Sequence, residues 1–417
     1  MNSARTLWSS ILRFSCKRDS EVLKDLERDR SLAQRQLNAV TDPVARLPLE
    51  LSSKIFIHSL PLLPVPAAIN APLLLLNICS AWRNIALSTP ALWDAIHISA
   101  WTEGSKELVP SWLECAGERP LSISFNGIGT EIDYDVLSVI WERGEQLKNL
   151  DIFDYQDGIQ LWKGAGPGPL PKLETLHIVG GAEDARGLPS PHISELLCLA
   201  PNLVECLFEH LPLSFSVPAS QRIILPNLRR LMFGGDGALP GSANEVLNSL
   251  SLPALEVLVA DVRCDILLSF LKRSSPPLQE LVFVAFDFLW LDGCFQLVPD
   301  LRQLKIWMAE CHVVEALFVA LAECPSLLPR LSSLDLHFNA WQPLFPGSFW
   351  TAALRALTTR RTQFQLVHFN LPDRLLPSKI LPPDTVAAFK ELAADGTKIC
   401  ISDSRGESDR KWKRAFE

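Results

Sequence analysis

The sequence predicts a mixed α/β chain, with a small N-terminal helical module followed by a long array of strand–helix repeats. Two observations carry this. Apolar residues between about 47 and 93 recur at helical spacing between prolines, and the pattern L-x-x-L-x-φ (φ apolar) then returns eight times. Composition agrees: over 417 residues, 48% are hydrophobic and 21% charged, which suits a folded chain of two or three domains, or of one small domain and an array. A net charge of −8 argues against a nucleic-acid-binding surface covering the molecule.

Residues 1–20 read as a basic, disordered N-terminus, with Arg5, Arg13, Lys17 and Arg18 and no acid before Asp19. Such an acid-poor, Arg- and Ser-containing segment also fits a mitochondrial presequence. Residues 21–41 read as a charged helix with Leu23, Leu26, Ala33, Leu37 and Val40 near heptad positions. Arg30 takes an apolar slot and fewer than three heptads are present, which favours a lone solvated helix over a coiled coil. Thr41, Asp42 and Pro43 end it.

The next segment, 45–98, predicts three short helices. Pro48 stands where a helix begins without losing a hydrogen bond, and Leu51, Ile55 and Phe56 share a face. A second helix is expected from about Ala71 to Ala86, with Leu74, Ile78, Trp82 and Ile85 on one stripe. Ser88-Thr89-Pro90 opens a third containing Leu92 and Trp93. So small a core gains stability by burying surface against a partner. Residues 55–82 carry no Asp, Glu, Lys or Arg, but Pro61, Pro64, Pro66 and Pro72 interrupt them, and Asn70 and Asn77 would lack partners in lipid. A membrane span is therefore not expected there.

These residues resemble the F-box-like domain common in large fungal families. The resemblance rests on LPLELSSKIFIHSLP (47–61) and APLLLLNICSAWRNIALSTPALWDAIHI (71–98), which keep the order L-P-x-E-L, I-F, C-x-x-W-R-x-I-A, T-P-x-L-W. It implies a module at 45–98 that docks a Skp-type adaptor and, through it, a cullin ubiquitin ligase. By matching position, Leu47, Pro48, Leu51, Ile55 and Trp82 would contribute to that adaptor interface or to the packing beneath it.

From 119 to 402 the chain repeats itself. The first leucines of the eight L-x-x-L-x-φ units are Leu147, Leu173, Leu203, Leu228, Leu255, Leu278, Leu301 and Leu331, about 26 residues apart. The units resemble the leucine-rich class, which implies an irregular leucine-rich-repeat-like solenoid with one strand and one return segment per repeat. Helices are expected at 193–200, 243–250, 266–272 and 313–323. LSISF (121–125) is a candidate opening strand; FQLVHF (364–369) and KICIS (398–402) are either the last strands or a cap.

Catalytic and metal-binding patterns are not apparent. The chain lacks H-E-x-x-H, G-x-S-x-G, G-x-G-x-x-G and any C-x-x-C among its ten cysteines. Cys311-His312 is adjacent only in sequence, and His177, His210, His337 and His368 lie in different repeats without metal-ligand spacing, so they are read as surface or satisfied residues. No cofactor or metal is expected. The charged tail at 403–417, with Arg410, Lys411, Lys413 and Arg414, is either a solvated end or an import signal. The scattered cysteines and the lack of an N-x-S/T sequon fit a cytoplasmic or nuclear protein.

The expected function is that of a non-catalytic substrate receptor of a Skp–cullin–F-box-type ligase. The alternative is a leucine-rich-repeat scaffold without ligase association. The position between the second leucine and the final apolar residue reads Asp151, His177, Leu207, Met232, Val259, Val282, Lys305 and Asp335. Side chains alternate along a strand, so these residues share one sheet face. The apolar centre of that row, Leu207, Met232, Val259 and Val282, with Trp307 as an anchor, is expected to bind the target protein, unless the face is covered.

Overall fold

The computed structural model describes residues 24–34, 36–37, 41, 44–99, 105–126, 134–153, 166–180, 192–209, 222–234, 243–284, 291–339, 345–372 and 382–403. The basic N-terminus and most of the charged tail fall outside them, as does His210. The protein is a mixed α/β chain with a large parallel sheet, and it divides into two compact units, Met1–Ser124 and Phe125–Glu417. None of the described helices is long and apolar enough to cross a membrane.

In the first unit, residues 24–34 form a helical segment whose described side chains are all exposed, Leu26 and Leu32 included. The helix Leu49–His58 then starts on the carbonyl of Pro48, which accepts the N–H groups of Leu51 (3.0 Å) and Ser52 (3.1 Å). The expected second helix is broken. It runs as Leu75–Ile78 and Ser80–Leu87, interrupted by the extended Cys79, whose Sγ accepts from the N–H of Trp82 at 3.5 Å. The break turns the stripe: Leu75, Cys79 and Ala86 are buried, whereas Leu74 of the expected face is 41% exposed. Thr89 is followed by a single 3-10 turn, Pro90–Leu92. The Trp93 indole N–H reaches back to the Ala86 carbonyl (2.9 Å), tying that turn to the preceding helix.

The expected helical module also ends in a strand. Ala95–Ser99 is β1, with alternating burial, and the helix Ser105–Ala116 leads to β2 (Leu121–Asn126) beside it. The Ser122 N–H donates to the Asp94 carbonyl (2.8 Å), and Trp93 packs edge-on against Trp112 with centroids 5.0 Å apart. Strand–helix–strand structure thus begins before residue 119. Ile96 and Ile98 are buried between less buried neighbours, a period-2 pattern too short to stand out at the end of a helical run.

The second unit contains β3 (Leu147–Phe153), β4 (Thr175–Val179), β5 (Glu205–Glu209), β6 (Ile223–Ile224), β7 (Arg230–Gly234), β8 (Leu250–Ser251) and β9 (Val257–Ala260). These are followed by β10 (Glu280–Val284), β11 (Gln303–Ala309), β12 (Ser333–Phe338), β13 (Leu366–Leu371) and β14 (Lys398–Asp403). Apart from the separate parallel pair β6–β8, these strands lie side by side in chain order, all parallel.

The register keeps the sequence repeat. Leu150, Leu176, Cys206, Leu231, Leu258, Leu281, Leu304 and Leu334 pair in succession, and Val367 and Ile399 continue the row. Residues 366–369 of the first expected segment and all of 398–402 therefore belong to sheet strands. Each of the eight first leucines is fully buried. At most of them the N–H closes a tight turn onto the carbonyl three residues back, as Leu173 does onto Leu170 and Leu301 onto Val298.

Return helices include His192–Leu199, Ala243–Ser249, Cys264–Ser274 and Cys311–Glu323, close to the expected positions. Two more, Gly347–Thr359 and Pro383–Ala394, precede β13 and β14.

Candidate docking surface and polar nodes

Helix Leu49–His58 has two faces. Phe56 is buried and packs on Trp82, with centroids 4.8 Å apart. Leu51 and Ile55, expected to share the Phe56 face, are instead about half exposed (49% and 48%). With Leu47, Lys54, His58 and Ser59 they line a groove of roughly 500 Å³. Pro48 is exposed at the start of the helix. Of the five residues assigned to adaptor contact, Leu47, Leu51 and Ile55 thus come together, Pro48 borders them in sequence, and Trp82 belongs to the packing beneath. Covering three half-exposed branched side chains is worth about 1 kcal/mol each. The opposite face is held by polar contacts: Ser52 Oγ–H donates to the Val44 carbonyl (3.0 Å), and Ser53 and Thr89 hydroxyls pair at 2.8 Å.

The row assigned to target binding is in register as expected, from Asp151 to Asp335, and extends to His368 and Cys400. The expectation that its apolar centre stands open is corrected. Met232, Val259 and Val282 are each only 1% exposed and form one buried cluster, with the half-buried Leu207 and Trp307 packed against it. Both faces of this part of the sheet are buried, the usual condition of a parallel sheet.

Charged nodes lie on either side of that cluster. At one, His177 Nδ1 is 3.0 Å from Asp151 and its Nε2 is 3.8 Å from Glu205, which Arg230 approaches at 3.6 Å. Burial opposes a charged imidazole, but the two carboxylates outweigh it and push the His177 pKa up to about 9. His177 in turn holds the Glu205 carboxyl below its usual range, aided by Arg230.

At the other node, Asp335 Oδ1 lies 3.0 Å from both His337 Nε2 and His368 Nδ1, and Oδ2 lies 3.3 Å from Lys305 Nζ. Burial resists ionisation of Asp335, yet the imidazoles and Lys305 hold its carboxyl far below the usual range. Burial also lowers the pKa of His337, against the pull of Asp335. The His337 ring stacks on Trp307 at 4.0 Å, and Lys305 sits over the same indole at 4.8 Å.

No known family model matches the chain, and no curated protein matches its sequence.

The Asp335 node is what sequence reasoning missed. Its residues look unrelated along the chain, but register pairs Asp335 with His368 and His337 with Asn370. The D-x-H alternation within β12 was the available signal, since residues two apart share a face. In the Cys311-His312 pair, burial pushes the Cys311 thiol up to about 12, and His312 Nδ1 lies 3.2 Å from Glu310.

Proposed function

We propose that the protein is a non-catalytic substrate receptor: residues 45–98 act as an F-box-like module that docks a Skp-type adaptor, and the repeat array, read as a leucine-rich-repeat-like solenoid, takes a target protein. One observation carries the docking half. Leu47, Leu51 and Ile55, to which the F-box resemblance assigns adaptor contact, line one apolar groove on the first helix, away from the small core around Phe56. Burying leucine and isoleucine side chains sacrifices no polar contacts and yields association energy, which is the use such a groove has.

The in-register ladder of buried leucines supports the array reading, because each repeat leans on its neighbours for its core. Met232, Val259 and Val282 are buried, so target contact through that cluster would require the sheet face to be uncovered. In the scaffold alternative the same fold lacks adaptor contact, and one experiment separates the two. Full-length protein carrying Leu51→Asp and Ile55→Asp should lose co-purification of the adaptor while its thermal midpoint stays within a few degrees of wild type. Wild-type protein that retains no adaptor would leave the scaffold reading.

A further inference from the structure

We propose that Asp335, His337 and His368 form a binding site for a borderline divalent cation, Zn²⁺ being the ion this donor set suits. Alternate residues of β12 present Asp335 and His337 on one face, and register sets His368 of β13 opposite Asp335. Each of the three offers one donor atom, and these lie within 4.8 Å of one another. A single point therefore lies no more than about 2.8 Å from each donor, against the 2.0–2.2 Å of Zn–N and Zn–O bonds. A closure of less than an ångström completes the site.

Orientation separates this arrangement from an ordinary ion-pair network. Asp335 Oδ1 and His337 Nε2 are buried and, despite the 3.0 Å separation, neither has an aligned hydrogen-bond partner among the described residues. His337 is nine-tenths buried, so an orphaned ring nitrogen there is costly. A cation bound between them would give both orphaned atoms a partner.

The outer partners fit as well. His368 Nε2 and Ser402 Oγ pair at 2.7 Å; in the tautomer with the proton on Nε2, that proton goes to the hydroxyl and Nδ1 is the lone-pair nitrogen. Beyond His337 Nδ1, the Asn370 amide lies at 3.0 Å, and its Oδ1 is buried without a hydrogen-bond partner among the described residues. Amide oxygen and nitrogen are interchangeable in shape; with the amide turned over, Oδ1 accepts from His337 Nδ1–H and Nε2 is free to ligate. Lys305 is the opposing charge. It binds Asp335 Oδ2, leaving Oδ1 for the ion, and the Trp307 ring beneath it shares its charge. Asp335 and His368 are about a quarter exposed, which gives an entry path and room for a fourth ligand, water or a side chain of a bound protein.

The test uses full-length protein stripped with a chelator and titrated with Zn²⁺, Co²⁺ or Mg²⁺. Tight binding of one Zn²⁺ per chain is expected, with a raised thermal midpoint and no response to Mg²⁺. Co²⁺ should give the visible bands of a four-coordinate ion without thiolate charge transfer, which distinguishes the site from exposed thiols such as Cys198 and Cys324. His368→Ala, at a partly exposed position, should abolish this binding while apo stability is retained. Ser402→Ala should keep the stoichiometry and weaken affinity about 10-fold. No Zn²⁺ binding by wild-type protein, or binding unchanged in His368→Ala, overturns the proposal.

Discussion

Arg360 illustrates how single polar residues hold the array together. It is 5% exposed, and its guanidinium donates to backbone carbonyls rather than to a carboxylate: Leu321 (2.7 Å) in the last turn of the helix Cys311–Glu323, and Leu327 (2.7 Å) just beyond it. Carbonyls at a helix end have no helical partner of their own, so removing the donor leaves them buried and unsatisfied. Arg360→Met should lower unfolding free energy by about 3 kcal/mol in denaturant titration. Arg330→Met, which removes an exposed pair with Asp300, should change it by no more than about 0.5 kcal/mol.

His177 makes a pH prediction. Its pKa in the folded protein, about 9, lies above the usual 6.5, so the folded state holds the proton more tightly. That contribution is complete below pH 6.5 and is lost as pH rises through 9. With the side chain about a quarter exposed, the loss should be on the order of 1–3 kcal/mol. His177→Gln should flatten the slope of stability against pH over that window; an unchanged slope would contradict the assignment. No residue near 177 in the sequence announces this environment, because Asp151 and Glu205 belong to neighbouring repeats.

At the scale of elements, the repeat period was legible because its cause is local. Each strand needs a leucine at its entry turn and apolar residues two apart, and each return helix needs its own stripe. Exposure was not legible. Leu74 and Ile78 fit the buried face of one continuous helix, which the extended Cys79 interrupts, and Met232, Val259 and Val282 fit an open stripe although both sheet faces are covered. Whether a strand's second face is wet depends on segments distant in sequence, about which periodicity is silent. It follows that Met232→Glu with Val259→Glu should melt the array, by several kcal/mol, because it buries two carboxylates with no partner. A double variant as stable as wild type by circular dichroism would return these residues to the surface. Leu278→Asp, at a fully buried ladder position, should likewise unfold neighbouring repeats together, seen as one broad block of lost hydrogen-exchange protection.

The chain has two units: the first carries an exposed apolar groove on the helix Leu49–His58, and the second a parallel sheet with a buried leucine spine. The groove was half legible. The F-box resemblance selected Leu47, Leu51 and Ile55, but the helical period alone placed Leu51 and Ile55 on the face of Phe56. The helix turns Phe56 inward onto Trp82 and the other two outward. Isothermal titration calorimetry of the purified full-length protein with a purified Skp-type adaptor decides whether the groove docks it. A one-to-one complex is predicted, with a negative heat-capacity change from apolar burial, lost when Leu51 and Ile55 are both changed to Asp. Absence of heat with wild-type protein, or binding that survives both substitutions in a folded variant, would contradict the account.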